Sequence, residues 1–302
     1  RSTSASMGRC GQVVMGPAGS GKSSYCARLA EHMQSIGRSI HVVNLDPAAD
    51  NFNYEVSIDV RDLISLEDVM EEMELGPNGG LIFCMEYLID NIDWLTHELE
   101  QLGSDPYVVF DCPGQIELFS HVPVMRSMVT ELQRMDFAIA AVYLLDAQFM
   151  GEPSKYMSGV LTCLSCMTAL ELPHINVLSK LDLLASKRVV ERYLDPPIDE
   201  LVAELSEEAG ADERRVALTS AIGTVISDYG MVNFMGLDPT DETSIELILM
   251  SIDHAIQYHD DVEPREPQDE VEEPDNDDDF DDHGGDFGGD DMTIPEGDES
   301  SQ

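Results

Sequence analysis

Eight consecutive residues near the start of the chain restrict its fold more than any other feature. Residues 16–23 read Gly-Pro-Ala-Gly-Ser-Gly-Lys-Ser and fit the pattern G-x-x-x-x-G-K-[ST] at every fixed position. Glycines in this pattern let backbone amides close around phosphate oxygens, the lysine reaches the β- and γ-phosphates, and the final serine can bind Mg²⁺. The pattern predicts a loop that binds a nucleoside triphosphate through Gly16, Pro17, Ala18, Gly19, Ser20, Gly21, Lys22, Ser23 and Ser24.

The segments around this loop place it in an α/β fold. Residues 12–15 read as a short buried strand before the loop, and residues 24–34 have helical spacing after it. Strand-like apolar runs recur at residues 40–44, 107–110, 138–144 and 175–178. Helical patterns lie between and after them, at residues 65–73, 84–102, 116–134, 154–170 and 243–258. This alternation predicts a P-loop NTPase fold, with a mainly parallel sheet flanked by helices.

Charge divides the chain into a domain and an acidic tail. Residues 260–302 contain twenty acidic residues and one basic residue, with too little apolar area to offset the entropy of ordering. We expect this tail to be disordered and residues 7–259 to form one NTPase domain with helical insertions. Residues 1–6 precede Met7 and are interpreted as an extension or a cloning remnant.

The formal net charge of −44 argues against several kinds of partner. It repels the phosphates of nucleic acids and anionic lipids, so we expect no direct binding to nucleic acid or to a membrane surface. The longest apolar run, residues 137–145, has less than half of the length that spans a bilayer. We expect an intracellular protein in which the six cysteines stay reduced.

A second phosphate-site motif follows the apolar run at residues 107–110. Asp111 ends this run and is followed by Cys-Pro-Gly-Gln, an order that resembles the D-x-x-G signature of GTPases. In that signature Asp111 would hold Mg²⁺ through water, Gly114 would offer its amide to the γ-phosphate, and Gln115 would orient the attacking water. A simple Asp/Pro/Gly turn is the alternative, and the phosphate loop upstream makes it less favourable.

Residues 179–182, Ser-Lys-Leu-Asp, resemble the guanine-reading motif N/T-K-x-D. The two carboxylate oxygens of Asp182 can accept hydrogen bonds from guanine N1–H and N2–H₂, a pair of donors that adenine lacks. Lys180 would lie along the plane of the base. Ser179 departs from the Asn or Thr of the motif, so the preference for guanine is less firmly predicted than phosphate binding.

A short segment further along resembles the part of such sites that contacts guanine O6 through backbone amides. Residues 219–221 read Thr-Ser-Ala, and they follow the other motifs in the expected order. Alone the tripeptide carries no information. In this order it makes Ser220 and Ala221 candidate contacts to the base.

Asp46 is a candidate for positioning water. It lies in residues 44–50, Asn-Leu-Asp-Pro-Ala-Ala-Asp, where a switch loop is expected, although Asp-Pro is also an ordinary turn opener. The segment resembles the second-strand loop of the dimeric P-loop class that includes nitrogenase iron protein and signal-recognition GTPases. In that class an aspartate here contacts Mg²⁺-bound or attacking water, which implies for Asp46 a role as water-positioner or weak base.

The segment Gly76-Pro77-Asn78, followed by two more glycines, lies between the switch loop and the strand that ends at Asp111. Read locally it is typical of a tight turn. In this order it resembles the Gly-Pro-Asn insertion that names the GPN-loop GTPases, and the resemblance extends over residues 8–258. Within that family the chain is most similar to the eukaryotic type 3 branch, through residues 71–85 and 228–234.

The resemblance implies a slow, dimer-dependent GTP hydrolase that uses GTP/GDP and Mg²⁺. Asn78 of one subunit would enter the phosphate site of the other and act there with Asp46 and Gln115. The partner would be a type 1 paralogue, or a second copy of the chain. The resemblance further implies a cytoplasmic protein, able to shuttle to the nucleus, that acts with RNA polymerase II subunits or assembly factors in polymerase assembly and nuclear import.

Two other functions stay open at the level of sequence. A scaffold that uses the nucleotide only for stability would carry the same motifs but would show little turnover. A small-molecule P-loop kinase usually needs arginines around the phosphates, and the segment after Gln115 offers only Arg126 and Arg134. The kinase is therefore the less favoured of the two alternatives.

Overall fold

The computed structural model of the chain describes residues 8–148, 152–184, 194, 197–209, 212–228 and 232–258. The extension at residues 1–6 and the acidic tail at residues 260–302 lie outside these ranges. Residues 229–231, which belong to a segment resembling the type 3 branch, lie outside them as well.

A parallel sheet lies at the centre of the fold. Its seven strands within the described ranges are β1 Arg9–Met15, β2 His41–Asn44, β3 Val56–Asp59, β4 Tyr107–Asp111, β5 Phe137–Asp146, β6 His174–Ser179 and β7 Phe234–Gly236. Their order across the sheet is β3-β2-β4-β1-β5-β6-β7, and every neighbouring pair is parallel. β1, which leads into the phosphate loop, is therefore the middle strand.

Helices cover both faces of the sheet. In the part of the chain that the structure describes they are α1 Lys22–Ser35, α2 Leu66–Met73, α3 Pro77–Asp90, α4 Ile92–Glu100, α5 Glu117–Ser120, α6 Val124–Arg134, α7 Pro153–Leu170, α8 Ile198–Ala209, α9 Glu213–Asp228 and α10 Glu242–Ala255. None of these helices has the length and apolarity needed to cross a membrane.

The sheet separates two apolar cores. Val13 of β1 faces the core built from α3 to α7, whereas Val14 faces the core built from α1 and α10. Adjacent residues alternate in this way because successive side chains of a strand point to opposite faces. A sheet buried on both faces needs nearly continuous apolar strands, which explains why the central strands could be read from the sequence. The predicted α/β fold with a mainly parallel sheet is confirmed.

Several elements differ from the prediction for local reasons. Residues 84–102 belong to two helices that meet at Asn91, whose side-chain amide donates to the carbonyl of Tyr87 at 2.8 Å. Residues 116–134 are likewise divided into α5 and α6, with Pro123 immediately before α6. The prediction also missed β3, β7, α8 and α9. The two strands have only four and three residues, too few for a period-2 pattern to stand out.

A buried polar side chain joins three elements beneath the phosphate loop. Gln12 of β1 is completely buried, and it bonds to a tyrosine on either side. Its Nε2 donates to the hydroxyl of Tyr107 on β4 at 2.7 Å, and its Oε1 accepts from the hydroxyl of Tyr25 on α1 at 2.8 Å. Because each end of the amide has a hydrogen-bond partner, these bonds offset the cost of burying it and help to hold α1 on the sheet.

We expect the Tyr25→Phe substitution to lower the free energy of unfolding by about 1–3 kcal/mol, because it leaves Gln12 Oε1 buried without a donor. Urea denaturation of both proteins checks this. Tyr87→Phe is the matched control, since the Tyr87 ring is exposed on α3. Equal stability of the Tyr25 variant and the parent protein would contradict the role given to Gln12.

Candidate nucleotide-binding site

The phosphate loop connects β1 to α1 in a conformation that requires glycine. Gly16 has a φ of 143°, and a Cβ atom at this position would overlap the carbonyl oxygen of Leu144. Lys22 is buried and its Nζ donates to the carbonyls of Gly16 and Pro17, at 3.2 and 3.3 Å. Helix α1 begins at Lys22 without a side-chain cap, so its first amides are free to bind an anion.

Burial lowers the pKa of Lys22, and the nearby carboxylates of Asp111 and Asp46 oppose that shift. Burial raises the pKa of each of these two carboxyl groups, and the charge of Lys22 opposes that shift. These mutual effects require the three charges to lie close together. The predicted phosphate-binding lysine and the two predicted metal-site aspartates therefore meet at one place, the carboxyl edge of the sheet.

Asp111 has one oxygen bonded and one without a partner. Its Oδ2 accepts a hydrogen bond from the Tyr54 hydroxyl at 2.7 Å, whereas Oδ1 is buried and has no hydrogen-bond partner among the described residues. Burial raises the pKa of Asp111, and the nearby Ser23 side chain opposes that shift. An unsatisfied carboxylate oxygen close to a serine side chain fits Mg²⁺, which prefers oxygen ligands. Ser23 and Asp111 therefore stay the candidate metal-site residues.

Asp46 is fixed by its neighbours in the loop after β2. Its backbone N–H donates to Asn44 Oδ1 at 3.0 Å, and its carbonyl accepts from Asn44 Nδ2 at 3.1 Å. One side-chain oxygen accepts from the amide of Ala48 at 3.0 Å. Burial raises the pKa of this half-buried carboxyl group. Asp46 is therefore a partly desolvated carboxylate that faces Lys22.

The Asp111 motif packs directly on the phosphate loop. A Cβ atom at Gly114 would lie 2.8 Å from the Cα of Ala18, so only glycine permits this contact. Gln115 follows, and its Nε2 donates to the side-chain oxygen of Asn78 at 2.7 Å. Gln115 and Asn78, both predicted to act on the attacking water, are thus in contact within one chain.

The local structure around Asn78 differs from a tight turn. Gly76 is the N-cap residue of α3 and Pro77 is its first residue. Proline favours this position because its ring presets a helical φ and the first helical N–H needs no partner. The segment therefore presents Asn78 on the exposed first turn of a helix.

Ser179 connects the base-reading motif to the phosphate loop. Its hydroxyl donates to the carbonyl oxygen of Ser20 at 2.6 Å and lies 3.3 Å from that of Leu145. A serine can therefore tie the end of β6 to the loop, although the motif usually has Asn or Thr there. Lys180 has a φ of 61° and its Nζ donates to Asp146 Oδ2 at 2.8 Å.

A cavity of about 210 Å³ lies beside the phosphate loop and has Asp182 in its wall. Gly21 and Ser24 contribute the loop side, and Lys180 lies next to Asp182. The cavity is thus bounded by residues that the sequence analysis assigned to the phosphates and to the base. This places the candidate base pocket directly beside the candidate phosphate site.

The prediction for Ser220 and Ala221 was wrong. Both residues lie in the interior of α9, where backbone amides bond to carbonyls of the preceding turn and cannot reach a base. The cavity wall is completed by Leu237 and Pro239, from the segment directly after β7. Leu237 N donates to the carbonyl of Leu178 at 2.8 Å, which holds this segment next to β6. Recognising the three-residue strand β7 would have been needed to find it.

Comparisons with known proteins identify relatives of this chain. A family model described as "Conserved hypothetical ATP binding protein" matches residues 14–258. Curated relatives named GPN-loop GTPase 3 include those of Mycosarcoma maydis (51% identity, 87% of this chain and 97% of the relative), Danio rerio (49%, 89% and 95%) and Saccharomyces cerevisiae (47%, 88% and 99%).

A solved structure shares the fold. The crystal structure of a GTPase in its apo form from Pyrococcus abyssi superposes with a TM-score of 0.69 at 24% identity, over 83% of this chain and 97% of that one. At this identity the likeness concerns the fold alone. The family follows from the sequence relatives, whose high identity extends over nearly their whole length. The chain belongs to the GPN-loop GTPase family, and within it to the branch whose members are named GPN-loop GTPase 3.

Proposed function

We propose that this chain binds GTP and Mg²⁺ and hydrolyses GTP to GDP and phosphate, as a switch that works in a dimer. The observation that carries the proposal is the convergence of Lys22, Asp46 and Asp111 at the carboxyl edge of the sheet, beside the cavity that contains Asp182. Ligands of parallel α/β folds bind at this edge. The names of the relatives support GTP as the substrate.

The phosphate loop and its neighbours would bind the triphosphate. Loop amides and the Lys22 ammonium neutralise the β- and γ-phosphates. Ser23 and Asp111 would hold Mg²⁺, which supplies positive charge that stabilises the charge developing on the phosphate oxygens during transfer. Gly114 lies against Ala18 of the loop and can present its amide to the γ-phosphate.

The water that attacks the γ-phosphorus would be oriented by amide and carboxylate groups. In the contact between Gln115 and Asn78, Gln115 Oε1 is left to accept a hydrogen bond from water and Asn78 Nδ2 to donate one to phosphate. As the new P–O bond forms, the bond from the γ-phosphorus to the bridging oxygen breaks and GDP leaves. Asp46 would receive the proton of the water, and burial, which raises the pKa of this carboxyl group, supports that role.

Asp182 favours GTP over ATP. Its carboxylate accepts the two N–H donors on one edge of guanine, whereas adenine would leave it unpaired at a cost in binding. The cavity around it is closed by Leu237 and Pro239, which can pack on a flat ring. The base would therefore be held between apolar contacts and one specific pair of hydrogen bonds.

We further propose that the active unit is a dimer with a type 1 paralogue, or with a second copy of the chain. The family resemblance supports this, as does the exposed position of Asn78 on the first turn of α3. Met73, which exposes 51% of its surface at the end of α2, lies five residues before Asn78 in the chain.

RNA polymerase II subunits or assembly factors are the proposed clients, during cytoplasmic assembly and nuclear import. The family resemblance supports this part of the proposal. Affinity purification from cells, with GTP in one arm and a non-hydrolysable analogue in the other, is expected to recover polymerase subunits and a dimer partner in nucleotide-dependent amounts. Recovery that is the same in both arms would favour a scaffold that does not need turnover.

We expect Asp182→Asn to weaken GTP binding about a hundredfold and to improve binding of xanthosine triphosphate, because an asparagine amide can donate to the carbonyl that xanthine has in place of the guanine amino group. Competition against a fluorescent GDP analogue measures both changes. Ser220→Ala is the control, since Ser220 lies in α9 and its loss should leave GTP affinity unchanged. Unaltered base preference in Asp182→Asn would contradict the assignment.

We expect Gln115→Ala and Asn78→Ala each to reduce kcat about ten- to a hundredfold with little change in GTP affinity, because each removes one partner of the group that orients water. The double variant should lose little more than either single one, since the two amides act as a unit. Single-turnover kinetics measures these effects. Additive losses would show that the two residues act separately.

Mixed dimers show whether Asn78 acts on the phosphate site of its own subunit or on that of the partner subunit. One subunit carries Asn78→Ala and the other carries Lys22→Ala, which disables its own phosphate site. If Asn78 completes the partner's site, the mixture keeps one intact site and turns over GTP. If Asn78 acts only on Gln115 of its own chain, the mixture is inactive.

A further inference from the structure

The loop between β2 and β3, residues 45–55, contacts the site at two points. Asp46 lies at its start, close enough to Lys22 for the two charges to interact, whereas Tyr54 lies near its end and donates to Asp111 Oδ2 at 2.7 Å. The Tyr54 ring packs against the core that contains α1 and α10. One loop therefore holds a candidate water-positioning residue and also bonds to a candidate metal-site residue.

The bond from Tyr54 distinguishes the two oxygens of Asp111. With Oδ2 occupied by the tyrosine hydroxyl, Oδ1 is the oxygen left buried and unpartnered among the described residues. A carboxylate can rotate about its Cβ–Cγ bond, and a hydrogen bond to one oxygen fixes the direction of the other.

Contacts behind the loop keep Tyr54 in place. Its ring lies 5.3 Å from that of Phe52, and the guanidinium of Arg61 lies 4.8 Å above the Phe52 ring. Arg61 also donates to the carbonyl of Ala49 at 2.7 Å and forms an ion pair with Asp59 at 2.6 Å. The end of the loop is thus tied to β3 through an arginine.

The same ion pair holds the start of the loop. Asp59 Oδ1 accepts from Asn44 Nδ2 at 2.9 Å, and Asn44 bonds to both the N–H and the carbonyl of Asp46. Asp59 and Arg61 are therefore shared between the part of the loop that places Asp46 and the part that places Tyr54. A shift of the loop at one point would be transmitted to the other.

We propose that Tyr54 is a positioning residue that aims Asp111 Oδ1 at Mg²⁺ and so couples occupation of the metal site to the loop that carries Asp46. The inference rests on the proposed function, because Mg²⁺ at Asp111 is part of it. Partners that orient a metal ligand typically change metal affinity 10- to 100-fold when they are lost. Removal of one hydroxyl should therefore have a measurable effect on metal binding alone.

The test is Tyr54→Phe, which removes the hydroxyl and keeps the ring. We expect the Mg²⁺ concentration that half-maximally tightens binding of a fluorescent GDP analogue to rise about tenfold or more. With a chelator in place of Mg²⁺, the variant and the parent should bind GDP equally, which a general loss of structure would not produce. Mn²⁺ binding followed by electron paramagnetic resonance gives a second readout, and Tyr87→Phe is the matched control.

The Mg²⁺ dependence of the parent protein tests the proposed metal site, and its change in Tyr54→Phe tests the role of Tyr54. If the parent protein binds GDP with no dependence on Mg²⁺, the metal part of the proposed function fails. If the parent depends on Mg²⁺ and Tyr54→Phe shows the same midpoint, the role of Tyr54 is overturned.

Arg61→Lys tests the coupling with Tyr54 intact, and serves if Tyr54→Phe does not fold. A lysine keeps the positive charge beside Asp59. It loses the flat guanidinium group that lies over the Phe52 ring and the several N–H donors that bond to Asp59 and to the carbonyl of Ala49. We expect a smaller shift of the Mg²⁺ midpoint in the same direction. No shift would overturn the coupling through the loop.

Discussion

The site depends on how the carbonyl groups of the phosphate loop are satisfied. Lys22 donates to the carbonyls of Gly16 and Pro17, and Ser179 donates to that of Ser20. Because these carbonyl oxygens already accept hydrogen bonds, the loop can turn its backbone amides toward an anion without leaving buried carbonyls unpaired. Gly16 makes this possible, since any side chain there would collide with the end of β5. The phosphate site, the base motif and the sheet are therefore joined by a few backbone acceptors.

The remaining residues of the site differ in how they are held. Lys22 and Asp111 belong to regular elements whose backbone is fixed by the sheet and by α1. Asp46 and Tyr54 lie on a loop whose position depends on Asp59 and Arg61, and these two side chains expose 16% and 33% of their surface. Loops with few buried contacts open more readily than strands. Movement in this site is therefore expected to begin in the loop, while the aspartate of β4 and the lysine of α1 stay in place.

The positions of Lys22, Asp111 and Asp182 could be predicted because each lies at, or within a few residues after, the carboxyl end of an apolar strand, and parallel strands end at one edge of a sheet. The positions of Ser220 and Ala221 could not be predicted in this way. A three-residue motif does not show whether its backbone amides already form hydrogen bonds within a helix. Asn78 was recognised from motif order, but its position at the start of α3 depends on a proline that suits a turn and a first helical residue equally well. The contact between Asn78 and Gln115 joins residues 37 positions apart, and local patterns do not specify such distances.

Gln12 and its two tyrosines have a further consequence for how the site behaves when nothing is bound. Gln12 lies on β1, the strand that leads into the phosphate loop, and its amide bonds to other side chains of the protein. The support of α1 on the sheet is therefore complete without a bound ligand. Exchange of one nucleotide for another is then expected to move the loop of residues 45–55, while β1 and α1 keep their positions.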